Sequence, residues 1–359
     1  MLEEQQRQID GLLENPGDDS DSSEPTFALD DFLGGGEAEE RNAKYGSGST
    51  VVDFHGFLHF VYAQAEGSPS VLDLYHANLF FGADLGEHAQ GWVELEYEHS
   101  GSEVELDQAE IRFFLGETTT AFGRFYAPFG IERRTWYPSK SEMESRPDIY
   151  RYVVPGNWYE TGGRVDHLQE FGDWKLRAEF AVTNGLDSAA NTDLRGSRQH
   201  RDNNNNKALI GRLGVSPTEK ATFGVSAATM KYSGDDSIDF IGVDFEYHHD
   251  RWLLRGEGIQ SSVDDSGSGD FKRKGYYLLG SYKIPFREEQ SFVLAGRYDV
   301  LDGNDTVVDS RDYSAYSFTA SWLPRSNIAI RGEVRSFSSR HGATLAGDYA
   351  LMLGVILDF

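Results

Sequence analysis

The 359-residue sequence has no cysteine and only 10 prolines. The lack of cysteine excludes a disulfide scaffold, a thiolate metal site and a cysteine nucleophile. No apolar run reaches the roughly 18 residues of a transmembrane helix. Basic residues are also scarce, because 33 Lys and Arg stand against 59 Asp and Glu for a formal net charge of −26. This balance disfavours a nucleic-acid partner, since nucleic-acid binding depends on neutralising phosphates.

Glycine and aromatic residues are abundant, with 39 Gly, 23 Phe, 18 Tyr and 6 Trp. An acidic, aromatic-rich and glycine-rich chain without a continuous apolar run is typical of a transmembrane β-barrel, whose strands alternate apolar and polar residues. The chain begins with the charged stretch MLEEQQRQID. We therefore predict no signal peptide, and expect either a mature form or a protein that is not exported.

Residues 1–47 differ in composition from the rest of the chain. They hold 13 acidic and 3 basic residues, a composition that favours a flexible linker. Leu2, Ile9 and Leu12 recur near heptad spacing, so the first turns predict either a short coiled-coil stub or a frayed helix. The second region, 48–359, is predicted to form the barrel domain.

Alternation with a period of two residues dominates 48–359. In AQGWVELEYEH (89–99), Trp92, Glu94 and Glu96 share one face, while Val93 and Leu95 share the other. Sixteen such segments begin near 52, 74, 89, 105, 119, 158, 173, 207, 220, 238, 251, 272, 291, 313, 327 and 348, and register errors would change the count to fourteen or eighteen. We therefore predict an all-β fold, a transmembrane antiparallel β-barrel of about 16 strands.

The connections between these segments alternate in length. Those after even-numbered strands are short, whereas several after odd-numbered strands are long, namely 127–157, 184–206, 263–270, 302–310 and 338–347. Short turns at one rim and longer loops at the other are typical of outer-membrane barrels. The sequence thus predicts localisation in a bacterial outer membrane.

The segment FGRFYAPFGIERRTWYPSKSEMESRP (122–147) resembles the strand and following loop of the phosphate-selective porin O/P family of bacterial outer-membrane porins. Three further matches follow in the family's order: GYYLLGSYKI (275–284), RYDVLDGND (297–305) and SWLPRSNIAIRGEV (321–334). The terminal Phe359 matches the assembly signal of outer-membrane barrels. Together these matches cover most of the chain beyond residue 50.

The resemblance implies a sixteen-stranded, trimeric diffusion channel without a cofactor or metal. Its implied partners are outer-membrane lipid, small hydrophilic solutes or ions, two sister protomers and the barrel assembly machinery, which reads Phe359. A loop after the fifth strand would fold inward to narrow the pore. The family's phosphate selectivity requires clustered Arg and Lys, but this sequence places dense glutamates on the same face. We therefore expect mixed small-solute selectivity and leave a preference for anions or phosphate open.

The long segment 127–157 is the candidate pore constriction. It carries five bases and four acids, against an excess of acids in the barrel region as a whole. A basic constriction would favour anions; the alternative is a surface loop whose charges pair with each other. The residues concerned are Arg133, Arg134, Lys140, Arg146 and Arg151, with Glu132, Glu142, Glu144 and Asp148.

Charged residues alternate along the predicted lumen face. They would either set up a transverse field between opposing walls or form cross-strand pairs that stiffen the wall. The bases are Arg112, Arg124, Arg164, Arg177, Arg212, Arg255, Arg297, Arg331 and Arg335; the acids are Glu94, Glu96, Glu98, Glu110, Glu179, Asp244, Glu246, Glu257 and Glu333. A further group near strand ends, including Lys272, Arg273 and Lys274, is interpreted as exposed rim charge.

An enzyme and a docking barrel are the two alternatives to a channel. An enzyme is disfavoured, because the sequence has no hydrolase, metalloprotease, phosphate-loop or calcium-loop motif. His55 and His59 share the lumen face but lie roughly 13 Å apart along a strand, too far to share a metal without another loop. The second class is a structural or docking barrel, in which the acidic arm 1–47 recruits a partner. The function predicted first is a porin, a passive channel for small hydrophilic solutes and ions.

Overall fold

The computed structural model describes residues 52–131, 137–199, 202, 204–287, 289–309, 311–343 and 347–359. The expectations for the arm 1–47, and for Glu132, Arg133 and Arg134, lie outside these residues. Within the described chain, sixteen antiparallel strands close into one barrel in which each strand pairs with its sequence neighbours and β1 pairs with β16. The predicted fold class and the predicted count of sixteen strands are confirmed.

The strand bounds follow the predicted starts to within a few residues. The strands are β1 Val52–Ala65, β2 Val71–Asp84, β3 Ala89–Glu98, β4 Glu103–Leu115, β5 Thr118–Tyr126, β6 Tyr159–Phe171, β7 Trp174–Thr183, β8 Ala208–Thr218, β9 Ala221–Ser233, β10 Asp236–His249, β11 Trp252–Asp264, β12 Phe271–Arg287, β13 Gln290–Asp302, β14 Tyr313–Arg325, β15 Ile328–Ser339 and β16 Tyr349–Asp358. A short helix, α1 (Ile149–Tyr152), and a 3-10 turn, His99–Gly101, complete the described elements. None of the helices in the described part of the chain is long and apolar enough to cross a membrane.

The barrel closes where the two ends of the sheet meet. Gly56 and Phe359 exchange two backbone hydrogen bonds, of 2.8 and 2.9 Å, beyond the β1–β16 ladder. A Cβ atom at Gly56 would lie 2.5 Å from the carbonyl oxygen of Asn78 on β2. Only glycine therefore allows the backbone to approach this closely at the seam.

The two faces of the sheet differ in chemistry, as the alternation predicts. On β3, Glu94, Glu96 and Glu98 are buried, while the residues between them are more exposed. The outer face is apolar, and side chains such as Phe122 and Phe318 are 59% and 62% exposed. In a closed barrel, the buried charged face is the interior and the exposed apolar face is the outer surface.

The connections are sorted between the two rims. Those at 85–88, 116–117, 172–173, 219–220, 250–251, 288–289 and 326–327 define a short-turn rim, and the longer connections 127–158 and 184–207 emerge at the opposite, long-loop rim. The predicted alternation of loop length is confirmed, although the 234–235 connection at the long-loop rim is also short.

The barrel interior also contains an apolar cluster that alternation alone did not predict. Phe129 and Trp158, from the 127–158 connection, pack against Phe240 of β10 with ring centroids 6.0 and 5.1 Å away. Leu186, from the 184–207 connection, and Met230 of β9 belong to the same buried cluster. Both long connections therefore bury apolar side chains inside the barrel. These side chains pack against apolar residues of β8 to β14 that face inward.

Candidate functional site: the barrel interior

The 137–157 segment lies against the inner wall, held largely by arginines of β13 and β15. Arg331 of β15 donates to the backbone oxygens of Met143 at 2.8 Å and Pro138 at 3.2 Å, and also to that of Ser141. Carbonyl groups of a loop that leaves the solvent need such donors, because buried polar groups without partners are costly. One wall arginine thus satisfies three loop carbonyls.

Two further wall residues form hydrogen bonds with the next part of the segment. Arg297 of β13 donates to the backbone oxygen of Ser145 at 2.5 Å and is paired with Asp299 at 2.7 Å. Glu333 of β15 accepts hydrogen bonds from the backbone nitrogens of Glu144 at 2.7 Å and Ser145 at 3.0 Å. The segment is therefore held by charge-assisted hydrogen bonds, which are stronger than neutral ones.

The acids of the segment pair with wall arginines. Glu142 pairs with Arg255 at 2.9 Å, and Asp148 with Arg335 at 2.7 Å. Burial works against ionisation of Asp148, but the guanidinium of Arg335 outweighs it and lowers the pKa of the carboxyl below its usual value. The sequence left open whether the charges of this loop pair with each other. In the described contacts, Glu142 and Asp148 instead pair with arginines of β11 and β15.

Glu144 reaches a different part of the wall. Its Oε1 lies 2.5 Å from Nε2 of His59 on β1, and its Oε2 lies 3.6 Å from Arg331. The carboxylate sits over Gly354 of β16, where a Cβ atom would collide with it. Glycine at this position therefore makes room for the segment.

The bases of the segment are less buried than its acids. Lys140 and Arg151 are exposed, and Arg151 lies over the ring of Tyr152. Arg146 is half-buried and lines a small cavity with His76 and Glu94. Lys140 and Arg146 both have interactions in the structure.

Several predicted lumen charges form pairs on the inner wall, either within one strand or across an intervening strand. Arg212 of β8 makes two hydrogen bonds to Asp244 of β10, at 2.6 and 3.1 Å. Glu110 of β4 lies between two other arginines, 2.6 Å from Arg112 and 3.0 Å from Arg164. The pairs from β8 to β10 and from β4 to β6 link strands that are not hydrogen-bonded to each other, which stiffens the wall.

The remaining predicted wall charges have varied partners. Arg124 donates to the backbone oxygen of Leu106 at 2.8 Å. Arg177, with a 30% exposed side chain, lies 3.4 Å from Asp166. The other acids and their partners are Glu179 with Arg212 at 4.0 Å, Glu246 with Arg255 at 2.6 Å, and Glu257 with the hydroxyl of Tyr150.

A second group of wall acids lies on β3 and β4, and one of them, Glu94, is held by neutral donors. Glu94 accepts hydrogen bonds from Asn78 at 3.0 Å, Gln108 at 2.6 Å and Tyr137 at 3.2 Å. Asp107 of β4 is also fully buried. We call Glu94, Glu96, Glu98 and Asp107 the acidic wall.

Arg273 of β12 is not the exposed rim charge that the sequence suggested. Its side chain is buried and donates to the backbone oxygens of Ala190 at 3.2 Å and Asn191 at 2.5 Å. The reason is its register, since Arg273 alternates inward between the exposed Lys272 and Lys274. The position of Arg273 near a strand end suggested an exposed side chain, whereas the alternation of inward and outward residues along β12 indicates an inward one.

Sequence analysis also missed the contribution of the 184–207 connection. Arg195 pairs with Glu98 at 2.7 Å, and Arg198 with Glu105 at 3.3 Å. Arg195, Arg198 and Glu105 line a cavity of about 310 Å³ together with Glu103, Arg124 and Asp193. Arg195 and Arg198 lie outside the strands, so the alternation of residues gave no indication that they contact the wall.

The histidines do not form a hydrolase site in the described part of the chain. Their hydrogen bonds there join them to carboxylates, to another histidine, to Thr118 and to Lys220, and none joins a histidine to a serine. His55 stacks on Phe80 with centroids 4.4 Å apart. The arrangement therefore lacks the serine–histidine pair that nucleophilic hydrolysis uses.

The barrel geometry matches solved outer-membrane porins. A loop L8 deletion mutant of OmpT, an outer-membrane protein of Vibrio cholerae, is 11% identical with a TM-score of 0.62, over 87% of this chain and 100% of that chain. An anion-selective porin from Comamonas acidovorans is 14% identical with a TM-score of 0.58, over 86% of this chain and 100% of that one. OmpF of Salmonella typhi, in complex with daunomycin, gives a TM-score of 0.62 at 11% identity, over 88% and 100% of the two chains.

Sequence comparison adds little beyond the fold. No family model matches the chain. An uncharacterized protein of Aquifex aeolicus (strain VF5) is 22% identical over 325 residues, which is 78% of this chain and 73% of the relative. The chain therefore has the fold of a bacterial outer-membrane porin, and its apolar outer surface is the one by which such a barrel sits in the outer membrane.

Proposed function

We propose that the protein is a porin of the bacterial outer membrane that lets small hydrophilic solutes and ions diffuse passively. The observation that carries the proposal is the combination of an apolar outer face, a charged inner face and the 137–157 segment, which contacts the inner wall through Arg297, Arg331 and Arg335. A segment held on the inner wall would narrow the route for solutes and fix the charges that they pass.

The balance of charges supports weak preference for cations. Arg255, Arg297 and Arg335, whose positive charge would attract anions, are each paired with a carboxylate. The acidic wall, by contrast, includes Glu94, whose hydrogen-bond donors are neutral. Each such pair cancels one positive and one negative charge, so the charge left on this part of the described wall is that of carboxylates with neutral donors, such as Glu94. Phosphate selectivity of the kind implied by the O/P family is therefore not favoured.

Trimeric assembly forms part of the proposal. It is supported by the fold, and the Vibrio cholerae OmpT has been solved in a trimer form. Narrowing of the pore by Arg133 and Arg134, together with the assembly role of Phe359, remains a prediction from the sequence.

Planar-bilayer recording on purified, refolded protein tests this function. We expect stepwise openings, grouped in threes, and a reversal potential in a salt gradient whose sign indicates a modest excess of cation permeation. A folded, heat-modifiable barrel that produces no conductance would contradict the diffusion channel. A reversal potential of the opposite sign would leave the channel in place but overturn the proposed cation preference.

A further inference from the structure

A cluster of histidine and glutamate side chains lies on the inner wall toward the long-loop rim. Nε2 of His76, on β2, lies 3.5 Å from Oε1 of Glu98 and 3.8 Å from Oε1 of Glu96, both on β3. The three ligand atoms lie within 4.8 Å of one another, and all three residues are buried. Tetrahedral ligands bound at about 2.0–2.2 Å from a zinc ion are separated by about 3.4 Å. The spacing therefore suits one metal ion shared by the three side chains.

The hydrogen bonds of His59 and His76 are compatible with a tautomer in which Nε2 of His76 carries a lone pair. Nε2 of His59 faces Oε1 of Glu144 at 2.5 Å, and Nδ1 of His59 faces Nδ1 of His76 at 3.3 Å. A neutral imidazole carries one N–H. If His59 donates to Glu144 and His76 donates to His59, the Nε2 of His76 has no proton and points at two carboxylates. In this tautomer a lone pair and two carboxylates face each other, an arrangement that a metal ion would satisfy.

The same hydrogen bonds provide the support that metal-bound histidines usually have. A histidine that binds a metal through one nitrogen typically donates the other N–H to an acceptor, which fixes the ring. Here His76 has His59 as that acceptor, and His59 is in turn held by Glu144 of the 137–157 segment. Glu98 is oriented similarly, because its Oε2 accepts a hydrogen bond from Arg195 at 2.7 Å, leaving Oε1 turned toward His76.

Two further observations point to a cation at this position. Among the described residues, Oε2 of Glu96 is buried without a hydrogen-bond donor, and the buried carboxyl of Asp107 lies beside Glu96, so these acids need a proton or a cation between them. A cavity of about 10 Å³, the size of a single water molecule or ion, is lined by His76 and Glu96 and gives room for an ion beside these two ligands; Arg146 also lines it, and its positive charge works against a bound cation. Arg195 also lines the larger cavity of about 310 Å³, which gives an approach to Glu98 from the long-loop side.

We propose that His76, Glu96 and Glu98 bind one divalent transition-metal ion of the Zn²⁺ class on the channel wall. A nitrogen ligand with two carboxylates favours Zn²⁺, Cu²⁺ or Ni²⁺ over Mg²⁺ and Ca²⁺, which take oxygen ligands. The ion links β2 to β3 and, through His59 and Glu144, stabilises the position of the 137–157 segment.

Calorimetric titration of the tag-free, detergent-folded full chain with Zn²⁺ tests the proposal. We expect saturable binding of one Zn²⁺ per chain, weakened at least tenfold in His76→Gln and in Glu98→Gln. His59→Gln, which removes only the supporting hydrogen bond, is expected to weaken binding about 10–100-fold. The matched control is His167→Gln on β6, whose ring nitrogen contacts Thr118 at 2.8 Å and has no part in the cluster; its affinity should equal that of the unaltered chain.

A second measurement does not depend on the folding of any variant. With Cu²⁺ as the probe, electron paramagnetic resonance of the unaltered chain should show one directly bound imidazole nitrogen. Absence of saturable Zn²⁺ binding would overturn the proposal. Unchanged affinity in a folded, heat-modifiable His76→Gln chain, or coupling to several nitrogens, would overturn it too by placing the metal elsewhere.

Discussion

The inner faces of β3 and β15 carry similar patterns and act differently. Each presents three charged side chains at alternate positions, Glu94, Glu96 and Glu98 on β3, and Arg331, Glu333 and Arg335 on β15. All three residues of β15 contact the 137–157 segment. On β3, Glu94 touches that segment through Tyr137, whereas Glu96 and Glu98 face His76.

The alternation of residues decides which face of the sheet a charged side chain occupies. The contacts of that side chain decide whether it anchors the segment or contributes charge to the channel. Charges that bind loop carbonyls and loop acids are neutralised and serve as anchors. A carboxylate held by neutral donors, such as Glu94, has no cation in those contacts to cancel its charge when it is ionised. The following experiments test this division, from the largest expected effect to the smallest.

Removing an anchor should release the segment. In Arg297→Met, Asp299 and the carbonyl of Ser145 lose their donor in a buried site, since the two charged side chains are 0% and 2% exposed. Breaking a buried pair costs about 3–5 kcal/mol. We expect a higher unitary conductance and faster protease cleavage within 137–157. A variant that keeps both properties of the unaltered channel would show that Arg297 is not an anchor.

Acid should weaken a second anchor, the pair between Asp148 and Arg335. The pKa of Asp148 is lowered in the folded chain, because Arg335 outweighs the effect of burial. The stabilisation is therefore present above the unfolded-state pKa of about 3.9 and is lost as the pH falls through the lower folded-state pKa. Channel noise from this segment should stay constant between neutral pH and about pH 4 and rise only below that range.

The matched variant for this pH test is Asp148→Asn, which lacks the ionised anchor at every pH. It should show the raised noise already at neutral pH. A rise in the noise of the unaltered channel well above pH 4 would argue that other carboxyls control the segment.

Removing charge from the acidic wall should change selectivity while leaving the segment in place. A unit charge acts on an ion at 4–8 Å in water with about 0.5–1 kcal/mol, which is roughly a two- to fivefold change in relative permeability. Glu94→Gln keeps the size of the side chain, and reversal potentials should shift toward anions by this amount. Glu333→Gln, the matched change on β15, should instead loosen the segment. No shift in Glu94→Gln would indicate that this carboxyl is neutral in the folded barrel.

The smallest effect is expected at a wall arginine that touches neither the segment nor the acidic wall. Arg177 lies 3.4 Å from Asp166 and its side chain is 30% exposed. Exposed ion pairs contribute about 0–1 kcal/mol. Arg177→Met should therefore leave conductance, selectivity and protease resistance of the segment unchanged. A large change would show that the wall charges act as one network and not as two groups.

The interior contacts of individual histidines illustrate what could not be predicted from the sequence. Reasoning along β1 compared His55 with His59, which strand geometry keeps apart. In the barrel, His59 instead meets His76 from β2, because antiparallel pairing places the two opposite each other. Cross-strand partners depend on register, and a sequence gives alternation more reliably than register.

The sequence by itself determined the sixteen strands, their inward and outward faces and the sorting of loops, because these follow from a period of two residues and from the lengths of connections. Only the tertiary structure decided which charges are anchors, why Arg273 lies inside, and how Phe129, Trp158 and Leu186 form an apolar cluster within the barrel. Those outcomes depend on contacts between residues far apart in the chain. Such residues meet because the sheet closes and two long connections return into its interior. No local sequence pattern encodes contacts between residues so far apart in the chain.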